Sequence, residues 1–167
     1  AYASGASYNN KVNVISGQSS SGVMTDDNHI YDLANNSWSL GAPIPDPKFY
    51  YVLGIYHDSL FYYIGGYNTT NVLITVNIYN AASDTWSLGT NLPFPIGAAG
   101  GGISGNKIVV ACGFGNTYIG EIDSNDPTII TWTTGEAYPV ENCVGFASGA
   151  SLDPESGLIV FTGGATN

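Results

Sequence analysis

The tetrapeptide "WSLG" at positions 38–41 returns unchanged at 86–89. A separation of 48 residues is far longer than any helix or strand period, so the pair marks a repeated structural unit. A third tryptophan, Trp132, lies 46 residues beyond Trp86 and carries the same surroundings. Six residues before the three tryptophans stand Asp32, Asn80 and Asp126, all turn formers. Three residues after them stand Gly41, Gly89 and Gly135, and seven after them Pro45, Pro93 and Pro139.

A second marker keeps its own spacing. Apolar segments ending in glycine read "VNVISGQ" at 12–18, "LFYYIGGY" at 60–67, "IVVACGFG" at 108–115 and "LIVFTGG" at 158–164. Their glycines Gly17, Gly65, Gly113 and Gly163 are 48, 48 and 50 residues apart, the last gap widened by "DPESG" at 153–157. Each unit reads as four short strands. In the second unit these are expected at 51–56, 60–64, 76–79 and 85–88, with turn residues "HDS", "GGYNTTN" and "NAASD" between them. Strand-ending glycine permits positive φ where the chain turns sharply. Asp or Asn at the start of the last hairpin caps its own turn. The fold class expected is all-β, with no helical apolar period to compete.

The combined pattern resembles the kelch repeat: a glycine pair closing the second strand, a tyrosine on the third and a tryptophan on the fourth. Gly65-Gly66, Tyr79 and Trp86 carry it in the second unit, Tyr31 and Trp38 in the first, and Gly163-Gly164 in the last. Gly17-Gln18 and Gly113-Phe114 replace the pair elsewhere, and Asn125 occupies the third tyrosine position. The resemblance implies kelch-type β-propeller blades of four antiparallel strands. Their expected bounds are residues 1–40, 41–88, 89–134 and a partial blade at 135–167. About three and a half blades form an incomplete ring, since closure needs about four. The expectation is therefore a segment of a longer chain, or a homo-oligomer or filament. Each tryptophan is expected to brace its blade against the next one.

Composition narrows the partners. Thirteen acidic residues against Lys11, Lys48 and Lys107, with no arginine, give a net charge of −10. Phosphate backbones are held by Lys and Arg, so nucleic acid is not an expected partner. No apolar run reaches the ~18 residues that span a bilayer. A start at Ala1 without a hydrophobic leader, with sequons at Asn35 and Asn68, fits a secreted, extracellular glycoprotein. Cys112 and Cys143, an even pair, permit one disulfide across the third and fourth units.

The residues that could carry chemistry have plainer readings. His29 and His57, the only histidines, read as surface and turn residues, since zinc wants about four ligands. Kelch-type propellers can host a copper–tyrosyl radical site, as in galactose oxidase, but no local motif unites the Tyr, Cys and His here. Asp46, Asp58, Asp84, Asp153 and Glu155 fall in expected turns, and Glu121, Asp123, Glu136 and Glu141 are scattered, so a paired-carboxylate glycosidase is not favoured. "TDDN" at 25–28 and "DSNDP" at 123–127 lack calcium-loop spacing. "GAAGGGISG" at 97–105 reads as close packing on an innermost strand. Tyr50, Tyr51, Tyr56, Tyr62, Tyr63 and Tyr67 crowd one unit, as packing residues or as a surface for sugars or proteins. The expected function is a non-catalytic structural or interaction module without metal or cofactor. It would bind a protein partner or further copies of itself. The alternatives are a carbohydrate-binding propeller and a segment of a galactose-oxidase-like or glycan-active enzyme.

Overall fold

The computed structural model describes residues 3–112 and 115–139, together with the backbone of four two-residue strands farther along. Twelve strands form three sheets, each an antiparallel meander of four. The first holds β1 (Ser4–Tyr8), β2 (Lys11–Ile15), β3 (Asn28–Asp32) and β4 (Ser37–Gly41). The second holds β5 (Val52–Tyr56), β6 (Leu60–Ile64), β7 (Val76–Asn80) and β8 (Thr85–Gly89). The third holds β9 (Ala99–Ser104), β10 (Lys107–Cys112), β11 (Asn116–Ile122) and β12 (Ile130–Thr134). Beyond them β13 (Cys143–Val144) pairs with β16 (Ala165–Thr166), and β14 (Ala147–Ser148) with β15 (Phe161–Thr162). No helix occurs among the described residues.

Local chemistry places these strands where the sequence puts them. The two-residue turn between β1 and β2 is Asn9-Asn10, both at positive φ (48° and 59°). Asparagine tolerates that region, and paired positive φ matches the right-handed twist of a hairpin. His57 and Asp58 turn the next hairpin at φ 47° and 58°, as a turn histidine should. Gly17, Gly65 and Gly66 leave the second strands at φ 114°, 62° and 96°. Gly113, Gly163 and Gly164 lie outside the described residues, as do the side chains of Cys112 and Cys143.

Side chains alternate across each strand, so every sheet has two faces. The faces pack in two seams. Ala6, Ile15, Ile44, Tyr51, Phe61, Tyr63 and Tyr79 fill the seam between the first and second sheets. Val52, Tyr62, Ile64, Val76 and Ile78 meet Ala99, Ile103, Ile108, Val110 and Ile130 in the next. Tyr51, Tyr56, Tyr62 and Tyr63 are thus packing residues between sheets. The glycine run on β9 lets two strands approach: a Cβ on Gly54 would overlap Ile103, and one on Gly101 would overlap the Val109 carbonyl.

Candidate interaction site

The repeated tryptophans sit on β4, β8 and β12, and their surroundings define the seams. Trp86 pairs across the strands with Tyr79, ring centroids 5.0 Å apart, and touches Tyr63 at 5.4 Å. Its Nε1 donates to the carbonyl of Ala42 at 2.9 Å. Asp84, held at φ 54°, accepts from the Ala42 N–H and from the Tyr79 hydroxyl, each at 2.7 Å. One residue of the linker leaving the first sheet is therefore gripped by both its backbone groups. The approach is close: a Cβ on Gly41 would lie 2.7 Å from Asn28 Nδ2 and 2.9 Å from Asp84 Oδ1. That contact is the reason for the glycine three residues after the tryptophan.

The second seam repeats the grip with different atoms. Trp132 Nε1 donates to the Thr90 carbonyl at 3.1 Å, and the Thr90 N–H donates to the Thr128 carbonyl at 2.9 Å. The Thr90 hydroxyl accepts from Ile130 N at 3.0 Å. Ala42 and Thr90 stand four residues past Trp38 and Trp86, so each grip closes on the equivalent linker position. This corrects the expected direction: Trp86 and Trp132 brace their sheets against the preceding one. The stacking of the sheets decides it: Trp86 lies on the face that Phe61, Tyr63 and Tyr79 turn into the first seam, and Trp132 packs in the second.

The third unit departs from the others in its last hairpin. Four residues separate β3 from β4 and β7 from β8, but seven separate β11 from β12. Asp32 and Asn80 accept from the backbone N–H groups two and three residues on, as expected of turn caps. In the third unit Asp123 makes these bonds, at 2.7 and 3.1 Å, while Asp126 caps a second turn through Thr128. Counting six residues back from Trp132 thus lands inside a longer loop. Asn125 is likewise a loop residue, and Gly120 stands opposite Trp132, where a Cβ would come within 2.8 Å of the indole.

The first sheet carries the same constellation, and among the described residues no linker is held by it. Tyr31 pairs with Trp38, centroids 5.0 Å apart, and its hydroxyl donates to Asn36, the counterpart of Asp84. Tyr79 is 1% exposed, whereas Trp38 is 61% exposed. The roles of Asn36 and Asp84 escaped the sequence reading, although "NSWSLG" and "DTWSLG" already align them.

Other candidate groups are dispersed. His29 lies on β3 within 3.7 Å of Asp27, and its ring meets Trp38 edge-on at 6.4 Å. Among the described residues no three His, Cys, Asp or Glu side chains gather as a metal site. Asn35 occupies the exposed β3–β4 turn, and Asn68 caps a turn through Thr70 N and Asn71 N. Lys48 is fully buried, with Nζ 3.2 Å from Asp46 and 2.7 Å from the Thr75 hydroxyl. Burial lowers its pKa to about 8 against the pull of Asp46.

Two surfaces could receive a ligand. At one end Phe49, Tyr50 and Tyr67 cluster, with Phe49 and Tyr67 stacked at 5.9 Å and Tyr50 edge-on to Tyr67 at 6.3 Å. Elsewhere a cleft of about 510 Å³ lies between the first hairpins of two sheets, lined by Ser7, Tyr8, Asn9, Ile55 and Asp58.

No protein family and no curated protein matches the chain. Solved structures do match, among them the structure of YjhT, with a TM-score of 0.71 at 15% identity. The alignment covers 87% of this chain and 54% of that one, so the chain spans about half the length of this structural relative. The likeness extends to the fold.

Proposed function

We propose that this chain is a non-catalytic interaction module built of kelch-type β-propeller blades, working outside the cell within a larger assembly. The observation that carries the reading is the repeated grip of a linker residue by the following sheet, through Trp86 on Ala42 and Trp132 on Thr90. Such units stabilise one another through neighbours, and each added sheet extends the same stack. The three consecutive four-stranded meanders and the fold shared with YjhT support the blade reading. The conserved-spacing residues act in packing, and the exposed faces are left for partners. Sedimentation at micromolar concentration tests this: the expected species is heavier than the 17.5 kDa chain, and a folded monomer throughout would overturn it.

A second reading is glycan binding. The cleft beside Tyr8 and Asp58 joins an aromatic ring, an amide, a hydroxyl and a carboxylate, the groups that hold sugar hydroxyls and ring faces. A glycan array probed with the wild type and with Tyr8→Ala tests it. Signal lost in the variant supports the reading, and an array without signal removes it.

A further inference from the structure

We infer that the seam between the first and second sheets is a binding site for an internal water, which bridges the Tyr63 hydroxyl and the Asn77 carboxamide.

The two side chains face each other. Tyr63 on β6 pairs directly with Asn77 on β7, so both point to the same side of the second sheet. Tyr63 belongs to the first seam, its ring meeting Tyr51 at 5.1 Å and Trp86 at 5.4 Å. Both residues are 0% exposed. Among the described residues four buried side-chain polar atoms lack a partner, and three belong to this pair: Tyr63 Oη, Asn77 Oδ1 and Asn77 Nδ2.

Their neighbours in the seam are satisfied directly. Asn13 Nδ2 donates to Asn28 Oδ1 at 2.9 Å, Tyr51 Oη to the Ile15 carbonyl at 2.8 Å, and Tyr79 Oη to Asp84 at 2.7 Å. A phenol and a carboxamide stripped of water and left bare in such a seam are costly, and hydrating them removes the cost. Buried waters bind at such places, through about three hydrogen bonds to groups otherwise unsatisfied. The phenol donates or accepts, and the carboxamide offers both an acceptor and a donor. That mixture suits water rather than a bare ion.

The repeat shows that the fold itself does not demand these groups. Tyr63 pairs with Leu53 as Val110 pairs with Gly101, 48 residues on, so Val110 and its partner Tyr118 are the equivalent pair in the third sheet. The linker residue equivalent to Lys48 is Ile96, and all three pack in the second seam. In the first seam polar groups lead in from solvent instead. Thr75 stands two residues before Asn77, on the face opposite to Ile74 and Val76 of the second seam. Its hydroxyl accepts from Lys48 Nζ at 2.7 Å and donates to Asp46, whose side chain is partly exposed. Polar side chains thus mark a way in, from Asp46 past Thr75 to the Asn77 carboxamide.

Whole-chain variants Tyr63→Phe and Asn77→Leu test the site, since each removes polar atoms and keeps most of the packing. The bridging water loses a bond in either variant, so each should lower the thermal midpoint by about 2–4 °C. The double variant should lose less than the sum, because both side chains act through the same water. Bare groups would behave oppositely: removing an unpaired polar atom raises the midpoint, and the two gains add. Water-oxygen relaxation dispersion, which detects waters held longer than the molecule takes to tumble, should drop by a single water in the double variant. The wild type supplies a check that needs no variant: by NMR the Asn77 side-chain amide protons should cross-relax directly with water. Midpoints that rise in both single variants, an unchanged dispersion, or Asn77 amide protons without that cross-peak overturn the inference.

Discussion

Trp86 contributes to the first seam through its ring, packed on Tyr63 and Tyr79, and through one hydrogen bond to Ala42. Substitution separates the two. Trp86→Phe keeps most of the ring and should cost about 1 kcal/mol, the net worth of one hydrogen bond. Trp86→Ala should cost about 2–3 kcal/mol, below the range for a fully buried tryptophan because this one is half-buried. Urea midpoints of the two variants check the order. The loss acts on the contact between first and second sheets, so exchange protection of β2 and β6 amides should fall before that of β10 and β11.

In and after β9 the glycines have unequal tasks. A Cβ at Gly101 would overlap the Val109 carbonyl and crowd Val52 at 2.7 Å. Backbone cannot move aside without breaking the β9–β10 ladder, so Gly101→Ala should cost about 1–3 kcal/mol, as overpacking does. Gly105, in the following turn at φ 55°, has open space around it, and Gly105→Ala should cost about 1–2 kcal/mol through the left-handed backbone alone. Lengthening the side chain separates the two mechanisms. Gly101→Val should be worse than Gly101→Ala, while Gly105→Asn should recover most of the loss, because asparagine accepts positive φ. Thermal midpoints of the four variants decide it.

The alkaline response of the whole molecule follows from its buried groups. Burial lowers the Lys48 pKa to about 8 from 10.5, so the folded chain releases this proton before the unfolded chain does. Stability should rise as pH passes from about 8 towards 10, where the unfolded state binds more protons. Burial raises Tyr51 and Tyr79 to about 12, and Tyr62 and Tyr63 upward as well. Above pH 10 unfolded tyrosines ionise and folded ones do not, so stability falls as the pH continues upward. Urea denaturation across pH 7–11 should give a maximum near pH 9–10. Lys48→Met should abolish the rising limb and leave the falling one.

The four strands of each described sheet, and the strand bounds expected in the second unit, were legible in the sequence, because these depend on short-range chemistry. Gly65-Gly66, the Asn9-Asn10 turn and the continuous apolar run "LFYYI" specify local backbone whatever surrounds them. The spacing of Trp38, Trp86 and Trp132 announced a repeated contact but carried no direction. Which sheet the indole meets depends on how neighbouring sheets stack, and only the fold shows Trp86 reaching back to Ala42. The three extra residues of the β11–β12 loop were hidden, since Asp126 and Asn125 fill the counted positions with plausible turn residues. Asp84 and Lys48 were hidden for a related reason: one looks like any turn carboxylate and the other like a surface lysine. Their partners, Ala42, Tyr79, Asp46 and Thr75, are set by the packing of the linkers and loops between the sheets. Periodicity therefore determined the strands, while long-range packing decided which groups became buried and which face was left open.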